Sequence, residues 1–183
     1  MQDSSQGGRV DIGISKYSAD GSSQIYATYL GGINNELPFS LLEGPNKSLI
    51  VLGATGSQNF PMNPSGYDTS FTKGSSDLFT IGGTIAMRTS SDIFVCILDS
   101  TGGNLLGSTF FGDSASDGNN QALRYNYGDP ARGDITLDNQ GNIIISSYTY
   151  SDNLPTGSAS DSQYRGNQDG LVVSFSSDLQ QLN

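Results

Sequence analysis

No histidine occurs anywhere in this sequence of 183 residues. The commonest general base and the commonest zinc ligand are therefore both missing. Neither a Ser-His-Asp nor a Cys-His site can be assembled within the chain. Cysteine occurs once, as Cys96, so no internal disulfide can form. That thiol lies in the apolar run IFVCIL, with no basic neighbour to lower its pKa, and reads as buried and inert. Cations are scarce: 8 Lys and Arg against 18 Asp and Glu give a net charge of −10. An acidic surface repels phosphate backbones and anionic lipid, which argues against nucleic acid as a partner. No apolar run approaches the roughly 18–20 residues of a membrane helix, so no membrane insertion is expected. The opening MQDSSQGG lacks the charged-then-apolar pattern of a signal peptide.

Glycine and aromatics are plentiful instead. The chain holds 24 glycines, 9 tyrosines and 8 phenylalanines, with charged residues at only 14%. That mix suits short strands joined by many turns and argues against a helical bundle. The length suffices for one domain with a real core.

The strands repeat. DIGISKYSAD (Asp11–Asp20), DIFVCILDST (Asp92–Thr101) and DGLVVSFSSD (Asp169–Asp178) align from their first aspartate at a spacing of about 80 residues. YATYLGG (Tyr26–Gly32) returns as GSTFFGD (Gly107–Asp113). The stretch Glu36–Pro61 matches Arg132–Pro155, each reading as strand, tight turn, strand, then Asn-Phe-Pro or Asn-Leu-Pro. One repeat therefore has four strands. Strand A is expected near Phe39–Glu43, B near Ser48–Thr55, C near Ile93–Asp99 and D near Asn104–Phe111. The next copy has A near Asp134–Leu137, B near Asn142–Tyr150 and C near Leu171–Phe175. A C strand (Val10–Tyr17) and a D strand (Gln24–Leu30) precede the full unit. The chain thus runs C-D, A-B-C-D, A-B-C, and ends where another D strand is expected.

Leu49–Leu52, Ile93–Leu98 and Ile143–Ile145 are continuous apolar runs without clean alternation. Strands wet on one face alternate; strands covered on both faces do not. A four-stranded sheet held between similar sheets fits, which is a β-propeller blade between its neighbours. The competing β-sandwich leaves one face of each sheet exposed and needs no four-strand repeat. The expected fold is all-β: a propeller fragment of four-stranded antiparallel blades, about two to two and a half of them. Residues 1–32 supply a partial blade, 33–113 a complete one, and 114–183 a partial one. Closed propellers have about four to eight blades, so an open arc with exposed edges and flanks, prone to association, is expected.

DIFVCILD, YATYLGG, GSTFFGD, TLDNQGNIIISSYTYSDNLPT and GYDTSFTKG together resemble the SBBP-type bacterial β-propeller repeat, from about Asp11 to Phe175. The resemblance implies a large, exported, surface-associated protein, hence an extracellular or cell-envelope setting, and a repeat that is not itself catalytic. Two departures stand out. The family repeat is shorter, so this chain carries insertions, and SLLEGPNKS lacks the usual Asp-x-x-Gly turn.

The insertions are Ser75–Ser90, between B and C, and Asp113–Ala131, between D and the next A. In an antiparallel meander both connections emerge at one edge of the blade, so both are expected on one face, where propellers commonly bind ligands. The second insertion and its exit hold Arg124, Tyr125, Tyr127, Asp129 and Arg132. Rings that stack and guanidinium groups that fork onto carboxylates suit sugar or peptide. Tyr67, Asp68, Arg88, Tyr164 and Arg165 are expected on the same face. The plainer reading is a solvated loop whose tyrosines pack on the blade below.

DSASDGNN (Asp113–Asn120) has oxygens for calcium but not the EF-hand spacing, and reads as a flexible loop. Arg132-Gly133-Asp134 spells an adhesion tripeptide but leads into a strand. Asp11, Asp92 and Asp169 are expected to brace the start of strand C. No cofactor or metal is expected. The leading function is a non-catalytic binding or display segment. A carbohydrate-active enzyme using paired carboxylates and a purely structural spacer remain as alternatives.

Overall fold

The computed structural model describes residues 10–81, 85–120, 132–157, 159 and 161–183. Its strands are β1 (Ile12–Tyr17), β2 (Gln24–Leu30), β3 (Glu36–Glu43), β4 (Leu49–Thr55), β5 (Leu78–Ile81), β6 (Ile85–Arg88), β7 (Asp92–Leu98), β8 (Leu105–Phe111), β9 (Asp134–Leu137), β10 (Ile143–Thr149) and β11 (Asp169–Phe175). One 3-10 turn, Pro45–Lys47, is the sole helical piece among the described residues. The protein is all-β. An antiparallel pair β1-β2, a four-stranded meander β3-β4-β7-β8 and a three-stranded sheet β9-β10-β11 carry the repeat strands in the expected order. A bridge from Phe175 to Leu182 begins a further pairing after β11.

Two of the three continuous apolar runs, Leu49–Leu52 and Ile93–Leu98, have the expected cause: the middle sheet is covered on both faces. The third, Ile143–Ile145, lies in β10, where buried and less buried residues alternate because that sheet is covered on one face. Ile50 and Leu52 of β4 and Ile93, Val95 and Ile97 of β7 pack against Ile135, Ile143, Ile145, Val173 and Phe175 of the third sheet. Their neighbours Val51, Phe94 and Cys96, with Phe110 of β8, pack the other way onto Ile12 and Leu30 of the first. Burying each such side chain contributes about 1.5–3 kcal/mol. Burial pushes the Cys96 thiol up to about 12, so it is inert at neutral pH. The stacking is head to tail, because Val51 and Ile145 hold the same place on strand B and both face the preceding sheet.

The two end faces differ from this interior. Where the middle sheet has Leu52 and Ile97, the third has Ser146 and Ser174. Where it has Phe94 and Cys96, the first has Gly13 and Ser15. Val172 stands 75% exposed on one end face, and Ile25 and Tyr29 are exposed on the other.

Three sequence-based placements need correction. First, strand A of the middle sheet begins at Glu36, before Pro38. Pro38 is tolerated because β3 is an edge strand, bulged between Pro38 and Ser40. Second, the insertion between B and C is not merely loop, because β5 and β6 pair as a hairpin. Asn35 Nδ2 donates to the Ala86 carbonyl at 2.6 Å, and Met87 is buried beside Leu37 and Ala54. Third, the chain between β4 and β5 runs beside the outer strand β8. Asn63 Nδ2 donates to the Leu106 carbonyl, and Phe110 N–H donates to the Asp68 carbonyl at 2.8 Å. Part of the β8 edge is thereby hydrogen-bonded rather than bare.

The missing Asp-x-x-Gly turn also has a structural counterpart. The turns after Asp99 and Asp138 place Gly102 and Gly141 at φ 68° and 83°. Between β3 and β4, Asn46 (φ 56°) and Lys47 (φ 58°) take left-handed geometry instead. A Cβ in that region costs about 1 kcal/mol, and Asn-Gly is the favoured pair for a tight hairpin. Lys47→Gly is therefore expected to stabilise the fold by about 0.5–1 kcal/mol. Urea unfolding should show this as a higher midpoint at unchanged slope.

Candidate functional site

Strand registers place Glu36, Thr55, Asp92 and Phe111 at one edge of the middle sheet, and Glu43, Leu49, Leu98 and Leu105 at the other. The first edge carries both long connections, as their expected common face requires.

The densest polar chemistry there is a network built twice. After β2, Gly32 N–H donates to Glu36 Oε2 at 3.1 Å, and Thr55 Oγ1 donates to Glu36 Oε1 at 2.7 Å. After β8, Asp113 N–H donates to Asp117 Oδ2 at 3.0 Å, and Thr149 Oγ1 donates to Asp117 Oδ1 at 2.6 Å. Ser57 N–H and Ser151 N–H each donate to the preceding threonine hydroxyl at 2.9 Å. The backbone follows suit. Glu36 N–H donates to the Val10 carbonyl and Asp117 N–H to that of Ser91; Gly56 N–H donates to Asn35 and Tyr150 N–H to Ser116. Each network joins the end of strand B in one sheet to the start of strand C in the sheet before it.

The recurring glycines are explained here. A Cβ on Gly112 would lie 2.5 Å from Asp92 Oδ1 and 2.7 Å from Asp117 Oδ2. One on Gly31 would lie 2.5 Å from Glu36 Oε2 and 2.8 Å from Asp11 Cγ. Two carboxyl groups thus close over each glycine. Two of the three aspartates accept at the start of strand C: Thr72 N–H donates to Asp92 Oδ2, and Arg165 N–H to Asp169 Oδ2.

Burial drives the chemistry of the second pair. Asp92 is 1% and Asp117 0% exposed. Desolvation, with Asp117, Asp68 and Asp113 nearby, pushes Asp92 up to about 8. Desolvation raises Asp117 to about 6, against the pull of its three donors. Asp92 Oδ1 has no hydrogen-bond partner among the described residues, as suits a protonated carboxyl. Glu36 is likewise raised by desolvation. These acids are separated in pKa but sealed from solvent. Among the described residues no three metal-ligating side chains converge.

The second insertion begins later than its sequence suggests. Asp117 pairs with Thr149 as Glu36 pairs with Thr55, and Gly118 N–H reaches the Tyr148 carbonyl. Pairing resumes at Asp134, opposite Ser146. The insertion therefore interrupts strand A at the place where β3 has its bulge. Ser116, Asp117, Asn119 and Asn120 are buried, so the stretch read as a flexible loop is a packed tether.

The predicted site residues that the structure describes lie in separate places. Arg124, Tyr125, Tyr127 and Asp129 lie outside the described residues. Arg132 lines a groove of 640 Å³ with Asp134, Ser146 and Tyr148. Arg88 lines a separate cleft with Asn34 and Leu78. Tyr164 donates its hydroxyl to the Tyr150 carbonyl at 3.2 Å, and Arg165 pairs with Asp161 at 2.8 Å. Tyr67 lines a further cleft with Asp68, Phe111 and Gly112. It lies outside β8, its N–H on the Leu179 carbonyl and its ring 6.1 Å from that of Phe175. Leu179 belongs to the turn at the opposite edge.

Sequence reasoning missed the duplicated network. Its signal was present as an acid four residues after Gly32 and after Asp113, answered by Thr-x-Ser at the end of each strand B. No helix among the described residues is long and apolar enough to cross a membrane. No protein-family model matches the chain, and no curated protein does.

Proposed function

We propose that this chain is a run of β-propeller blades that serves as a non-catalytic binding scaffold, in an extracellular or cell-envelope protein carrying further blades. One observation carries the reading: three antiparallel sheets stack head to tail, and the same carboxylate–threonine–serine network recurs at both junctions. A unit that repeats its junction chemistry favours extension by more units. The extracellular setting rests on the resemblance to the SBBP-type repeat.

The groove at Arg132 is the best ligand surface. It combines a guanidinium, the Tyr148 ring, the Asp134 carboxylate and the Ser146 hydroxyl where the insertion re-enters strand A. That set suits a sugar or a peptide. The carbohydrate-enzyme alternative needs a carboxylate pair open to substrate, whereas Asp92 and Asp117 are closed off.

An oligosaccharide and peptide array tests this. The wild-type chain is expected to retain ligands that the Arg132→Ala, Tyr148→Ala double variant binds at least tenfold more weakly, at an unchanged melting temperature. Retention of nothing by the wild type would leave the structural spacer. Glycan turnover abolished by Asp129→Ala would overturn the non-catalytic reading.

A further inference from the structure

The two junctions between sheets are not filled alike. Leu41 and Ile135 occupy the same place in the repeat, paired with Val51 and Ile145 on the face turned toward the preceding sheet. Ile135 is 7% exposed, because β3 of the middle sheet lies beside β9. Leu41 is 67% exposed. The difference lies in the sheet that precedes each. The middle sheet brings strands A and B; among the described residues the first sheet consists of β1 and β2 only. Where its A and B would lie there is a groove of 670 Å³, floored by Leu41, Leu49 and Val51 and walled by Ile12, Ile14 and Tyr26. Among the described residues, β1 has β2 along one edge and no strand along the other.

We propose that this groove is the seat of a β-hairpin of the repeat's own A–B kind, carried by a further repeat of the same polypeptide. Its second strand hydrogen-bonds to the open edge of β1 and its first lies over Leu41. The inference rests on the stacked-blade reading above and adds to it a specific acceptor site. The internal comparison identifies the occupant: an A–B hairpin sits beside strand C in each of the other two sheets, and its presence is what covers Ile135. A second copy of this chain cannot supply it in that register. Both of its B strands, β4 and β10, are already paired along both edges. Charge agrees as well. Lys16 and Lys47 stand at the groove against one carboxylate, Glu43, in a protein that is acidic as a whole. The A–B turn of the third sheet carries Asp138, and a like turn would come to rest at the edge where Lys47 lies.

The test places a copy of residues 132–168, the β9–β10 hairpin with its own connector, ahead of Asp11 in the full chain. A second fusion carries a copy of residues 36–91, in case the first does not fold. Leu41→Cys is introduced into each and into the unfused chain, and its reaction with a thiol reagent is timed. Cys96 is fully buried and stays silent. The unfused Leu41→Cys chain is expected to react at nearly the rate of a free thiol, and the fused chain at least tenfold more slowly, with a raised melting temperature. Unchanged labelling in a folded fusion, or neither fusion raising the melting temperature, overturns the proposal. Protection in the unfused chain that grows with protein concentration assigns the groove to a second copy, and also overturns it. Ile135→Cys separates the two readings. Rapid labelling there in the unfused chain defeats the stacked-blade reading itself. Slow labelling there with Leu41→Cys unprotected in the fusion defeats only the hairpin seat.

Discussion

Replacing Asp117 by alanine is expected to destabilise the protein by about 3–5 kcal/mol, the largest effect of any single side chain at this edge. The carboxylate is fully buried and accepts from Thr149 Oγ1, Ser151 Oγ and Asp113 N–H. Alanine leaves all three donors without that acceptor in a site closed to water, and a buried donor without a partner costs about 1–3 kcal/mol. The loss also removes the side-chain bonds of the junction to Thr149 and Ser151, while the backbone bond from the Asp117 N–H to the Ser91 carbonyl remains. Asp117→Asn should be much milder, at about 1 kcal/mol. Its amide oxygen can keep Ser151 and Asp113, while its Nδ2 donates to the Thr149 hydroxyl. That hydroxyl can then turn its proton wholly to the Ser151 carbonyl, which it already approaches at 3.3 Å. Urea unfolding of the two variants reads the difference directly. Equal losses for Ala and Asn would show that charge, not acceptor geometry, holds the junction.

The strands were legible because their cause is local and repeated. Apolar runs at Leu49–Leu52 and Ile93–Leu98 mark strands covered on both faces, and aspartate-glycine turns mark their ends. The hairpin at Leu78–Arg88 was not legible, because it lies inside an insertion with no second copy to compare. Its anchors, Asn35 and Met87, act across long sequence separations. Interruption of strand A was hidden for a related reason. Asp117 and Asp134 are distant in sequence but serve one strand, and only the shared partner β10 reveals it. The candidate ligand residues were chosen for chemistry within a segment. Nothing in their spacing told that Tyr67 would lie along β8 while Arg88 and Arg132 opened onto different clefts.

Stability should fall, not rise, as the pH climbs from about 4 to 8, and Asp92→Asn should remove much of that slope. Asp92 and Asp117 are raised in the folded protein to about 8 and about 6, mainly by desolvation. In the unfolded chain both return to the ordinary carboxylate range near 4. Below that range both states hold the protons and nothing is lost. Above it the unfolded chain ionises first, so the folded state binds more protons and stability declines by about 1.4 kcal/mol per pH unit for each proton retained. The decline ends once the folded groups have ionised, near pH 8. The groups facing Asp92 sharpen the effect, since Asp117, Asp68 and Asp113 all repel its charge, and the Thr72 N–H is its one stabilising donor among the described residues. Exposed Asp20 and Asp99 work in the opposite sense. Local hydrogen bonds lower them to about 2, so what they contribute is lost only as pH falls below the ordinary range. The optimum therefore belongs near pH 4–5, on the acid side of the usual range. Asparagine at position 92 keeps the Thr72 acceptor, cannot ionise, and can turn its amide toward Asp117. It should raise the melting temperature at pH 7.5, leave it nearly unchanged at pH 4.5, and flatten the profile between. A wild-type profile that rises from pH 5 to 8 would mean that Asp92 is ionised in the folded protein, and that another group neutralises the carboxyl pair over Gly112.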